Sequence, residues 1–135
     1  MNVEAMKAAE ILEREGVDVE IIDPRTISPL DEELIVESVS KTSHCIIADY
    51  DWLFCGFSAE IAAVISEKCF GSLKSPVKRI GFAPTHCPAA RTLEDAFYPN
   101  AADIIKAVEL KLNLKPIDIS KEDFFSHINK FKGPF

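Results

Sequence analysis

At 135 residues, 47% hydrophobic and 27% charged, the chain has the make-up of one soluble globular domain with room for a real core. Its formal charge of −7, from 15 basic and 22 acidic side chains, argues against a nucleic-acid surface, which needs clustered Lys and Arg to displace counterions, and against an anionic membrane. No apolar run approaches the ~20 residues of a membrane span, and the N-terminal MNVEAMKAAE lacks the basic region of a secretory signal, so a cytoplasmic protein is expected.

Residues 2–15 read as a helix, with Val3, Met6, Ala9 and Ile11/Leu12 as its apolar stripe, Glu10, Glu13, Arg14 and Glu15 facing water, and Gly16 ending it. Residues 17–23 (VDVEIID) alternate and then run apolar, which predicts a strand stopped by Pro24. The next helix opens on Ser28 as N-cap and Pro29 at the first helical position. Asp31 follows three after the cap, and Asp31, Glu32 and Glu33 favour the positive end of the helix dipole. Its buried face is Leu30, Leu34, Ile35 and Val39.

Residues 45–48 form a short apolar run, predicting a strand buried on both faces. Residues 49–55 interrupt it with acids and large aromatics, and Gly56 opens an amphipathic helix with Phe57, Ile61, Val64, Ile65 and Cys69 on one face. A turn over 71–76 and a third strand over 77–82 (VKRIGF) follow, then a proline-rich loop over 83–100. Asn100 caps a last helix carrying Ala101, Ile104, Ile105, Val108 and Leu112.

This alternation predicts an α/β domain, a parallel sheet between helices, over residues 1–114. Because the order begins with a helix, at least one further strand is expected, upstream or from another chain. In such sheets functional loops lie at the carboxyl ends of the strands, so the loop after residue 48 is the first candidate site. Residues 115–135 form an extension in which Ser120 and Asp123 suggest a capping pair, and Phe124, Phe125, Phe131 and Phe135 must bury their rings on this domain or on a neighbour.

Several chemistries lack their residues. The two strand-to-helix crossings, PRTIS and YDWLFCG, hold no glycine-rich phosphate turn, and Asp49 and Asp51 would repel a phosphate. GFSAE lacks the second glycine of a nucleophile elbow. Cys45, Cys55, Cys69 and Cys87 show no CxxC spacing and read as reduced thiols. The pairs His44–Cys45 and His86–Cys87 leave zinc possible, but neighbours on a strand point to opposite faces, so no metal site is expected. Cys55 could act as a nucleophile only with a base that the sequence does not place beside it. His86 is either a ligand contact or a solvated loop residue. Glu60 suits the helix dipole. Trp52 and Phe54 either meet a partner or cover the sheet edge.

Taken together, DPRTISPLDEELI, a strand ending in Asp, W…CGFSAEIAAVI, PVKRIG and LEDAFYPN resemble the C-terminal domain of the transketolase-like thiamine enzymes, nearest to the beta subunits of 2-oxo-acid dehydrogenases of pyruvate or branched-chain type. The blocks over residues 23–31 and 56–61 are its most specific parts, and the likeness covers residues 3 to 112. The resemblance implies a three-layer α/β/α domain with a five-stranded mixed sheet, its first strand absent from this chain. It also implies that thiamine diphosphate and magnesium serve the intact enzyme but are held elsewhere, as are the catalytic histidines. No catalytic, cofactor-binding or metal residue is therefore carried over.

The implied role is assembly, with an alpha subunit, a second beta subunit and, in some members, the acyltransferase core as partners. Arg25, Trp52, Phe54, Glu60, Thr85, His86, Phe124 and Phe125 are the candidate interface residues, and a homo-oligomer is expected. Two departures, Tyr50 in place of an acid and Thr85-His86-Cys87-Pro88 in place of Thr-Pro-x-Pro, bear on partner or substrate identity. The alternative is a stand-alone interaction module of the same fold without catalysis.

Overall fold

The computed structural model describes residues 1–122 and Phe124. Its elements are α1 (Asn2–Arg14), α2 (Glu32–Thr42), β1 (Ile46–Ala48), α3 (Ser58–Cys69), β2 (Lys78–Ile80), α4 (Arg91–Phe97) and α5 (Ala101–Leu112). β1 and β2 pair in parallel, Ile46 opposite Lys78 and Ala48 opposite Ile80. Parallel strands need a crossover, and α3 supplies it.

The strands sort their side chains by parity, as the pleat requires. Ile46, Ala48 and Ile80 face a core built on Ala8, Ile11 and Leu12 of α1 and Ile104, Ile105 and Val108 of α5. Cys45, Ile47 and Val77 face the other, built on Ile35 and Val39 of α2 and Ile65 and Cys69 of α3. α1 with α5, the small sheet, and α2 with α3 are thus three layers, the α/β/α architecture expected. Leu12, Ile65 and Ile105 are fully buried, each burial stabilising by about 1.5–3 kcal/mol.

Four local expectations need correction. Residues 17–23 are not a strand: they make no ladder bonds, and the described sheet has two strands, not three. Alternation marks an extended chain, but a strand also requires a neighbour to receive its N–H and C=O groups. Val17 touches the α1/α5 core and Ile22 the α2/α3 core, while Val19 and Ile21 stay part exposed.

The second helix begins after Asp31, not Ser28. Thr26 Oγ1 donates to the Pro29 carbonyl at 2.9 Å, closing a turn there. Asp31 then becomes the N-cap, accepting from Leu34 N at 3.1 Å. In α1 the buried face is Glu4, Ala8, Ile11 and Leu12, and Val3 and Met6 are exposed. Glu4 turns inward because it has a buried partner at the start of α5. Finally, the loop over 83–100 contains α4. No side chain caps its N-terminus, so the usual start signal is missing. Asn100 caps α5 in a reciprocal box with Asp103, as its sequence position implied.

The suggested Ser120–Asp123 cap reaches outside the described residues. Before it, the chain returns to the domain: Ile117 N donates to Glu109 Oε1 at 2.6 Å, and Arg14 pairs with Glu122 at 3.0 Å. Ile117, Ile119 and Phe124 join the α1/α5 core. Among the described residues no helix is long and apolar enough to cross a membrane.

Candidate functional site: an aromatic shelf at the strand ends

The loops leaving β1 and β2 run side by side beyond the sheet. Asp49 N donates to Ile80 O at 3.0 Å and Phe82 N to Asp51 O at 2.9 Å, so the strand pairing continues into the loops. Two glycines permit this approach. A Cβ on Gly81 would stand 2.4 Å from Asp51 O, and one on Gly56 would stand 2.0 Å from Trp52 O. Cys55, just before Gly56, adopts the left-handed conformation at φ 58°, a stored backbone cost typical of loops held by their surroundings.

Held this way, the loops bring together five rings. Phe82 and Phe97 stack at 4.7 Å between centroids. Trp52 meets Phe82 edge-on at 5.4 Å, Tyr98 meets Phe82 at 5.3 Å, and Tyr50 meets Tyr98 at 6.0 Å. Such offset and edge-to-face pairs add about 0.5–1.5 kcal/mol each beyond area burial. Trp52 Nε1 donates to Thr85 O at 3.1 Å, and Arg79 donates to Leu53 O at 2.7 Å, fixing the loops to each other and to β2.

Only Phe97 is fully inside, at 3% exposure; Tyr50, Trp52 and Tyr98 each show roughly two-fifths of their surface, and Phe54 stands out at 87%. Burial, with the Glu4 charge second, raises the Tyr50 hydroxyl above its ordinary range. The hydrogen bond with Cys87 (Sγ to Oη 3.4 Å) is the main cause raising Tyr98. Both phenols are therefore neutral near pH 7 and present hydrogen-bonding tips on apolar bodies, the mixture enriched at protein interfaces.

The predicted site residues divide. Trp52, Phe54 and Thr85 belong to this shelf. His86 is exposed on the same loop, and Glu60 is exposed in the first turn of α3; neither side chain has a hydrogen-bond partner among the described residues. Arg25 lies in another loop, in the left-handed region, with Nε 2.8 Å from Asp23. Phe124 is 8% exposed and serves this chain's own core, and Phe125 lies outside the described residues. Sequence reading missed Tyr50, Phe82, Phe97 and Tyr98 as members. For Tyr50 and Phe82 a signal was available, since each flanks the end of a predicted strand; Phe97 and Tyr98 end α4, which the sequence did not announce.

The shelf loop carries negative charge, which disfavours a diphosphate there. Asp49 and Asp51 stand in the loop, and among the described residues no group of three His, Cys, Asp or Glu side chains could hold a metal ion. The acids and the lack of a glycine-rich turn mean that the shelf loop does not form a phosphate cradle. Among the described residues no base is bonded to Cys55, and Cys87 is engaged with Tyr98.

Residues 1–104 match the family described as transketolase, C-terminal domain. The chain belongs to that family. Among its curated relatives are the pyruvate dehydrogenase E1 component subunit beta of Rickettsia felis, 37% identical over 78% of this chain, and the mitochondrial protein of that name from Homo sapiens, 41% identical over 81%. The beta subunit of acetoin:2,6-dichlorophenolindophenol oxidoreductase from Bacillus subtilis is 39% identical over 83%. The chain covers 32%, 31% and 32% of these relatives respectively, about a third of their length. As a transketolase C-terminal domain it has the parallel α/β core that its sequence blocks imply. In the described residues the sheet is two-stranded rather than five-stranded.

Proposed function

We propose that this transketolase C-terminal domain is the assembly portion of the beta subunit of a thiamine-diphosphate-dependent 2-oxo-acid dehydrogenase, acting in the cytoplasm on pyruvate or a related small 2-oxo acid. The observation that carries the reading is the 36–41% identity to pyruvate dehydrogenase beta subunits over about four-fifths of the chain. Thiamine diphosphate and magnesium are held by other polypeptide, with this domain supplying support. The part-wet aromatic shelf, with Phe54 at its outer point, is the surface for an alpha subunit or a second beta subunit; an acyltransferase core is a further partner.

Reconstitution tests this. The chain alone, given thiamine diphosphate, magnesium, pyruvate and an artificial electron acceptor, is expected to give no turnover. Turnover is expected once the alpha subunit and a beta-subunit portion lacking this domain are added together. Turnover by the chain alone, or full activity of the other parts without it, overturns the reading. Acetoin run beside pyruvate distinguishes the two substrate types that the relatives' names offer.

A further inference from the structure

At the other end of the sheet, three side chains from separate segments meet at one hydroxyl. His44 leads into β1, Ser75 and Pro76 precede β2, and Lys111 lies in the last turn of α5. Lys111 Nζ donates to Ser75 Oγ at 2.8 Å and to the Pro76 carbonyl at 2.7 Å, and His44 Nδ1 lies 3.0 Å from the same Oγ. An ammonium can only donate, so Ser75 Oγ accepts from Lys111, and the same hydroxyl shares a hydrogen bond with His44 Nδ1 whose direction follows the imidazole tautomer. The third ammonium hydrogen of Lys111 and the far nitrogen of the His44 imidazole are left for a ligand.

The charge around this hydroxyl is one-sided. Lys111 is half-buried, yet no carboxylate lies within ion-pair distance of it among the described residues, although the protein carries a formal −7. Glu109, on the same helix, is taken by the Ile117 N–H. Lys74, the residue before Ser75, adds a second positive charge to this segment, and its backbone N–H is fixed to Ser43 O at 3.0 Å. Burial lowers the pKa of Lys111, and burial followed by Lys111 and Lys74 lowers that of His44. Partly desolvated donors with net positive charge and no internal counter-charge are the chemistry that favours an oxyanion.

We propose that His44, Lys74, Ser75 and Lys111 form a binding site for a small oxyanion, either inorganic phosphate or the phosphoryl group of a small ester. The site uses none of the shelf residues and does not rest on the assembly role.

The test is a titration of the isotope-labelled chain at pH 7 by nuclear magnetic resonance, with ionic strength held constant by sodium chloride. Sodium phosphate is expected to shift the resonances of His44, Ser75 and Lys111 saturably and to leave those of His86 in place. Glycerol phosphate should do the same if the site takes a phosphoryl ester; saturation by inorganic phosphate alone confines the ligand to the free ion. Lys111→Met should weaken binding by about tenfold, the usual size of one charge-assisted contact. Lys106→Met, which removes an exposed charge from the same helix, should leave it unchanged. Should Lys111→Met fail to fold, His44→Gln is expected to weaken binding several-fold. Shifts that stay linear, that chloride reproduces, or that Lys106→Met diminishes as much as Lys111→Met overturn the proposal.

Discussion

Glu4 Oε2 accepts the main-chain N–H of Ala101 at 3.0 Å, across 97 positions of sequence. The first turn of a helix leaves its N–H groups without internal acceptors. At α5, Asn100 Oδ1 takes Ala102 N at 2.8 Å, and Ala101 N falls to Glu4, which is itself buried and paired with Lys7 at 3.2 Å. A carboxylate at this end of a helix is also favoured by the dipole. Glu4→Ala is expected to lower stability by about 1–3 kcal/mol, and Glu4→Gln by less because an acceptor remains. Urea denaturation should show an earlier midpoint at unchanged slope.

The close approach of Gly56 and Gly81 to the first shelf loop makes a second prediction. An added methyl would meet backbone oxygen at 2.0 Å and 2.4 Å respectively, and backbone cannot swing aside as a flexible side-chain end can. Gly56→Ala and Gly81→Ala should each destabilise by about 1–3 kcal/mol, the range for overpacking. Because Trp52 is the sole tryptophan, its fluorescence should shift in both variants. Gly71→Ala, where nothing lies within 4 Å of the added carbon, is the neutral control.

The cysteines should react in two classes. Cys69 is 1% exposed, and burial pushes the Cys45 thiol up to about 11, so neither offers an accessible thiolate near neutral pH. Cys55 and Cys87 are exposed. Brief iodoacetamide treatment of the native chain at pH 8, read by mass spectrometry, should modify Cys55 and Cys87 and spare the other two until denaturant is added.

Phe54 separates folding from assembly. At 87% exposure its ring contributes little to this chain's core, so Phe54→Ser should change stability by no more than about 0.5 kcal/mol. In the reconstituted complex it should weaken subunit association at least tenfold in sedimentation or light scattering. Unimpaired association would remove the shelf from the interface.

His44 gives a pH dependence with a definite sign. Its pKa is lowered from 6.5 in the folded chain, mainly by burial. Below that value the unfolded chain takes up the proton more readily, so folding weakens as pH falls through about 6.5 and the group is without effect above it. The melting temperature of His44→Gln should therefore fall less between pH 7 and pH 5.5 than that of the parent chain. Equal falls in both would contradict this.

Layer architecture was legible in the sequence because it depends on long periodic stretches. The helices holding Ile35 and Val39, Ile65 and Cys69, and Ile104, Ile105 and Val108 lie as their spacing predicted. What failed was decided by partners remote in sequence. Val3 and Met6 satisfied the helical stripe as well as Ala8 and Leu12, and only the contact of Glu4 with Ala101 selects the buried face. The extended segment holding Val17 and Ile22 lacks a ladder because pairing is a property of two segments. Trp52 and Phe54 announced the shelf through their position after a strand, whereas Phe97 and Tyr98 sat in what read as loop. The group around Ser75 was illegible, since His44 and Lys111 lie 31 and 36 positions from it and converge only through the fold.

One layer is made of the chain's first helix and its last described one, α1 and α5. During synthesis that layer cannot close until α5 has left the ribosome, and the apolar side of β1 and β2 facing it stays bare meanwhile. The α2/α3 side has no such delay, so the nascent chain passes through a half-built, sticky form. The exposed face is the one that Leu12 and Ile105 later seal.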